Sequence, residues 1–231
     1  YGANINLLEN TLPRVGITTS FIDPSNLAGI EKAIQPNTKL IFSEVIGNPG
    51  LDIMDVKAVG EIAAKAGIPL MLDCTFNTPW LLKPFDLGAN LIIHSLTKWI
   101  GGHGVAIGGA VVDGGNFDWE AGGDRFPLLN KPDPSYHGAV WTEAVKPLGP
   151  IAYILRARVI LLRDMGSAMS PMNAFQFIQG LESMPVRMAR HCENAAKVAT
   201  FLNSHPAVEN VIYPGLHEGE VRRRADTYLR G

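Results

Sequence analysis

Residues 56–72 read VKAVGEIAAKAGIPLML. Val56, Val59, Ile62, Ala63 and Ala66 recur at the three- and four-residue spacing that lines one face of a helix. Gly67 stands where a helix commonly ends in a left-handed residue. Ile68 to Leu72 then forms a short apolar run that reads as a strand buried on both sides. A helix that hands over directly to such a strand is the unit from which parallel sheets are built.

The same alternation extends in both directions. Asp23-Pro24-Ser25 carries helix-start chemistry, Leu27, Ile30 and Ile34 follow at helical spacing, and Pro36 stops the pattern. Lys39 to Val45, KLIFSEV, is a β-rich run. Leu91 to Ile93 and Gly108 to Val112 read as two further strands. The fold class predicted is therefore α/β, a mainly parallel sheet covered by helices on both faces. From Ile151 the strand signals give way to the helical patterns IAYILRARVILLRDMG, PMNAFQFIQGLESM and PVRMARHCENAAKVATFLNSH. Val208 to Tyr213, VENVIY, reads as a strand opening a second unit after His205-Pro206. The organisation predicted is a large domain over residues 1–205 and the start of a smaller C-terminal α+β domain over 206–231.

Bulk composition narrows the function classes. A formal net charge of −2 gives no field to draw the chain to nucleic acid or an anionic membrane. The only basic run, Arg222-Arg223-Arg224, reads as a solvated helix face, without the aromatics and further basic segments of a nucleic-acid patch. Charged residues make up 18% of the chain, against about 25% in a typical domain. That shortfall predicts apolar surface hidden against other subunits, a homodimer or homotetramer. Cys74 and Cys192 are too few for a disulfide framework, which predicts a reducing, cytoplasmic setting. No stretch approaches the roughly 18 apolar residues of a membrane helix, and YGANINLLEN lacks the regions of a signal peptide. The expectation is a soluble chain.

Ligands of open parallel sheets bind beyond the carboxyl ends of the strands. After KLIFSEV come Gly47-Asn48-Pro49; after IPLML come Asp73-Cys74-Thr75; after LII come His94-Ser95-Leu96-Thr97-Lys98. Taken singly, Asp73 would be a turn residue, Ser95 and Thr97 loop hydroxyls, and Lys98 a surface lysine. Their joint placement after separate strands predicts one rim where an amide, a carboxylate, hydroxyls and an amine converge. Hydroxyls and backbone N–H groups recognise phosphate. A lysine beside a phosphate either neutralises it or attacks a carbonyl to form a Schiff base. Asp73 then suits a pyridinium nitrogen at the far end of the same ligand. Other chemistries lack their motifs: GGHGVAIGG is not GxGxxG, no GxxxxGK[ST], GxSxG or HExxH occurs, and the six histidines show no metal-ligand spacing.

Leu72 to Gly104, LDCTFNTPWLLKPFDLGANLIIHSLTKWIGGHG, resembles the pyridoxal-phosphate-dependent enzymes of cysteine and methionine metabolism. In that family an aspartate in a D-x-T-F context precedes an S-x-T-K motif, matched here by Asp73-Cys74-Thr75-Phe76 and Ser95-Leu96-Thr97-Lys98. The resemblance implies a fold type I transferase large domain with pyridoxal 5'-phosphate as cofactor. Lys98 would be its Schiff-base anchor, Asp73 the partner of the pyridine nitrogen, and Ser95 and Thr97 phosphate contacts, with Thr75 in the same site. Glu44 and Gly47-Asn48-Pro49 resemble the family's acidic-x-x-x-N-P segment, which puts Asn48 near the cofactor's phenolic oxygen. Tyr1-Gly2 is similar to the tyrosine-glycine pair whose ring stacks on the cofactor, so Tyr1 joins Lys98 and Asp73 as a catalytic candidate. Cys74 and Trp80 replace a usual asparagine and tyrosine, which implies altered packing and intact chemistry.

IGGAVVDGGNFDWEAGGDRFPLL, PDPSYHG (Pro132 to Gly138) and Arg163 to His191 resemble the branch that replaces the acetoxy group of O-acetylhomoserine with sulfide or a small thiol. Its products are homocysteine or methionine, with acetate. Cystathionine-forming synthases and methionine lyases share the cofactor residues and remain alternatives, as does a non-catalytic fragment packed in an oligomer. Family members extend beyond this chain on both sides, which implies that the arginine clamping the substrate carboxylate lies outside it. The predicted partners are an amino-acid substrate and a sulfur nucleophile, with no nucleic acid and no membrane.

Overall fold

The computed structural model describes residues 1–230. After α1 (Gly2–Asn6) and α2 (Leu27–Ala33) come β1 (Ile41–Glu44), α3 (Val56–Ala66), β2 (Leu70–Asp73) and α4 (Thr78–Leu81). β3 (Leu91–Ser95) and β4 (Gly109–Asp113) complete a four-stranded sheet in the order β1-β2-β3-β4. β1, β2 and β3 are parallel, whereas β4 runs antiparallel to β3. The chain between β3 and β4, residues 96–108, is a loop of successive turns with no crossover helix, so the fourth strand returns alongside the third. An α/β fold with a mainly parallel sheet is what the alternation of helix and strand patterns predicts.

α3 forms as its sequence dictates. The Asp55 side chain accepts the Ala58 N–H at 3.1 Å to cap its start, and Gly67 ends it at φ +64. Val56, Val59 and Ala63 pack on the sheet face that carries Leu70, Leu72 and Ile92. The opposite face carries Met71 and Leu91, covered by Trp119, Phe126, α5 (Pro127–Asn130), α6 (Trp141–Ala144) and α7 (Ala152–Arg156). α7 runs through a π-helical turn, Ala157–Leu162, into α8 (Arg163–Met165).

α9 (Pro171–Asn203) is one helix of 33 residues, where two segments separated at Pro185 suggest two. Pro185 removes one N–H from the ladder, and packing of Met184 and Met188 against Leu81 and Ile100 carries the helix through it. No strand forms at residues 208–213, contrary to the sequence expectation. The chain there has no regular structure and finds no neighbouring edge to pair with its N–H and C=O groups. α10 (Gly219–Tyr228) packs Ala225 into the α3 side of the core. Tyr228 donates its hydroxyl to Asp55 Oδ1 at 2.7 Å, and Arg224 donates to the Ile53 carbonyl at 3.2 Å. Among the described residues no helix is long and apolar enough to cross a membrane.

Candidate active site

β1 and β2 are paired so that Glu44 lies beside Asp73 at their carboxyl ends, and Asp73 lies beside Ile93 of β3. These side chains share the face on which Met71 and Leu91 sit lower down. Above that buried lower half the face is uncovered and floors a cleft of about 1540 Å³. Its far wall is the π-helical turn, through Ala157, Arg158, Leu161 and Leu162. All seven residues predicted to hold the cofactor, Tyr1, Asn48, Asp73, Thr75, Ser95, Thr97 and Lys98, line this one cleft.

All but Asn48 are placed by an identifiable local contact. Asp73 ends β2, and its Oδ1 accepts the Thr75 N–H at 2.9 Å, which leaves Oδ2 turned to the cleft. Thr75 Oγ1 accepts the Ser95 N–H at 2.7 Å and so ties the end of β2 to the start of the lysine turn. Thr97 Oγ1 accepts the Gly108 N–H at 3.1 Å and faces the Gly108 carbonyl at 3.3 Å, closing the turn from its other side. Ser95 Oγ is left without a hydrogen-bond partner among the described residues. Lys98 sits in a run of turns in which Gly101 N–H donates to Leu96 O at 2.8 Å and Gly102 N–H to Lys98 O at 2.7 Å. Its side chain is exposed to the cleft. The Tyr1 backbone nitrogen lies 2.7 Å from Glu44 Oε1, with the ring exposed.

Two groups in the cleft went unpredicted. Asn4 donates to Glu44 Oε1 at 3.1 Å and lies 3.5 Å from Asp73 Oδ2, bridging the two carboxylates. The signal available for it was its position three residues after Tyr1, which puts both on one helical face. Arg158 is exposed in the far wall. It makes no ion pair among the described residues, and no spacing in the sequence ties it to the rim. His94 is buried beside the rim, and burial pushes its pKa below the ordinary histidine value. Cys74 is also buried, and desolvation pushes its thiol up to about 12, the behaviour of a packing residue and not of a nucleophile.

The donor set defines a class of site: a carboxylate, an unpaired amine and a turn rich in hydroxyl and N–H groups around one roomy cleft at the carboxyl edge of a parallel sheet. It fits pyridoxal 5'-phosphate, whose cationic ring nitrogen, aldehyde and phosphate call for those three kinds of partner. The sequence as a whole agrees. The family model for the Cys/Met metabolism PLP-dependent enzymes matches residues 1–231, and the chain belongs to that family.

Among its relatives is an O-acetyl-L-homoserine sulfhydrylase from Leptospira meyeri, 47% identical over 221 residues, a match covering 94% of this chain and 50% of that protein. A homocysteine synthase from Schizosaccharomyces pombe is 45% identical over 234 residues, covering 100% of this chain and 53% of the relative. The chain thus spans about half the length of the relatives it matches. Among solved structures, a putative O-acetylhomoserine (thiol)-lyase from Campylobacter jejuni superposes with a TM-score of 0.91 at 38% identity, covering 99% of this chain and 56% of that one. That structure carries a pyridoxyl-lysine monophosphate.

Proposed function

We propose that the protein carrying this chain is a pyridoxal-phosphate-dependent enzyme that exchanges the γ-acetoxy group of O-acetylhomoserine for sulfide or a small thiol. The products are homocysteine or methionine, and acetate. The observation that carries the reading is the convergence of Lys98, Asp73 and the Ser95–Thr97 turn on one cleft, in a chain whose relatives bear the names of this reaction.

When bound, the cofactor supplies an electron sink for negative charge developing on the substrate. The residues of the chain supply the rest. Lys98 Nζ would anchor the cofactor and would serve as the general base for the proton on the substrate α-carbon. Asp73 Oδ2 keeps the ring nitrogen protonated, and Asn4 holds its neighbour Glu44. Ser95 Oγ, with Thr75 and Thr97 shaping the backbone around it, receives the phosphate. Asn48 would serve the cofactor's phenolic oxygen, and Tyr1 would cover its ring and assist proton transfer.

Residues 1–205 would form the cofactor domain and 206–231 the beginning of a second. Assembly as a homodimer or homotetramer is supported by apolar side chains left exposed along α9, among them Met172 at 65% and Phe175 at 58%. A cytoplasmic site is supported by the two unpaired cysteines.

Lys98→Ala in the full-length protein is expected to abolish both the visible absorption of bound cofactor and turnover. A variant that kept both would sink the assignment. Acetate release from O-acetylhomoserine that requires sulfide separates sulfur transfer from the cystathionine-forming and lyase reactions.

A further inference from the structure

The turn that presents Lys98 does not hold itself. Its own N–H groups satisfy the carbonyls of Leu96 and Lys98, but no backbone donor reaches the carbonyls of Trp99 and Ile100. Both are taken by a single guanidinium. Arg187 donates from Nη1 to Trp99 O at 2.9 Å and from Nη2 to Ile100 O at 3.3 Å. Nη2 also donates to Gly180 O at 2.7 Å, and Nε donates to Ser183 Oγ at 3.0 Å, which locks the fork onto α9. The helix lies against the turn so closely that a Cβ on Gly180 would collide with the Ile100 and Gly101 carbonyl oxygens. Trp99, next to Lys98, also packs its ring on His191 of α9, with centroids 4.9 Å apart.

Arg187 does not line the cleft. We propose that it is a positioning residue for Lys98. By fixing the two peptide planes that follow the lysine, it sets how the Nζ amine is presented to the cofactor's aldehyde. This rests on the proposed function, in which that amine condenses with the aldehyde and releases water. The planar fork is essential to the role, because two carbonyls of the turn and one of the helix must be met at once by donors in fixed directions. An ammonium offers a single point charge on a flexible stem and cannot span them.

The test uses the full-length protein with Arg187→Lys, Arg187→Ala and Ser183→Ala, each saturated with pyridoxal 5'-phosphate. Borohydride reduction before denaturation fixes linked cofactor on the peptide. The quantity read is the ratio of fixed to free cofactor among all that is bound. A general loss of folded protein lowers the total and leaves that ratio unchanged.

Wild type and Ser183→Ala are expected to share one ratio, since Ser183→Ala keeps all three carbonyl contacts. Arg187→Lys should lower it by about tenfold, the factor that one lost charge-assisted hydrogen bond brings. Arg187→Ala should lower it further, with recovery on adding methylguanidinium. kcat should fall with KM little changed. Should Arg187→Ala fail to fold, Arg187→Lys carries the test alone. An unchanged ratio in the Arg187 variants overturns the positioning role. A wild type that fixes no cofactor on Lys98 overturns the functional reading itself and the role with it.

Discussion

The two faces of the sheet come from the same four strands and serve opposite ends. On the α3 side, Leu70 and Leu72 are fully buried and Ile92 nearly so, sealed beneath Val56, Val59 and Ala63. On the other side only the lower half is covered, and one residue after Leu72 the chain puts Asp73 into an open cleft. Alternation along a strand lets neighbouring residues be selected separately for packing and for chemistry. The sharpest test is therefore a pair of adjacent substitutions. Leu72→Ala should lower unfolding free energy by about 2–5 kcal/mol, the range for emptying a packed aliphatic site. Asp73→Asn should leave denaturant unfolding close to wild type while removing turnover in the cofactor-loaded protein. If both variants lost stability equally, the separation of the two faces would fail.

A second contrast lies between the walls of the cleft. The near wall is the Lys98 turn clamped to α9, with no room for a Cβ at Gly180. The far wall is a π-helical turn with Leu161 53% exposed. Gly180→Ala should cost about 1–3 kcal/mol, because overpacking at a tight contact is relieved only by moving backbone. Leu161→Ala, in the far wall, should stay within about 0.5 kcal/mol of wild type, as exposed substitutions do. Thermal unfolding of the two variants reads the difference. Equal shifts would mean that the walls are equally rigid.

How much of this was legible in the sequence depends on whether the determinants are local. VKAVGEIAAKAGIPLML carries its own helix, cap and strand, and the core on the α3 side follows from it. The direction of β4 is not local: Gly109–Asp113 has the same short apolar texture as the parallel strands, and only the lack of a crossover before it turns it round. VENVIY has strand chemistry and no edge to pair with. The two helical patterns that meet at Pro185 are one helix, because packing of Met184 and Met188 carries α9 past it. The site divides in the same way. Asn48, Asp73 and the Ser95–Lys98 turn were found because strand ends are marked in the sequence. Arg187 lies 89 residues beyond Lys98 and meets its turn only through the packing of α9, which no spacing reveals.

The smallest effect concerns the cover that keeps the lower half of the open face dry. Asp133, 9% exposed, accepts the Trp141 indole N–H at 2.8 Å and the Ser135 hydroxyl at 2.5 Å, with Arg156 3.7 Å away. The Ser135 hydroxyl first, and the indole next, hold the Asp133 carboxyl below the usual aspartate range. A carboxyl whose folded pKa is depressed stabilises the fold fully above its unfolded value, near 4, and loses that contribution as pH falls through the lower folded value. Trp141→Phe keeps a ring against Tyr136, now 4.7 Å from the indole, and removes one donor. The variant should therefore be less stable than wild type by a constant amount above pH about 5, and the gap should narrow as the pH falls below about 4. Urea midpoints measured across that window decide it. A gap that stayed constant down to acid pH would assign the loss to ring packing and leave the Asp133 charge without a part in closing this face.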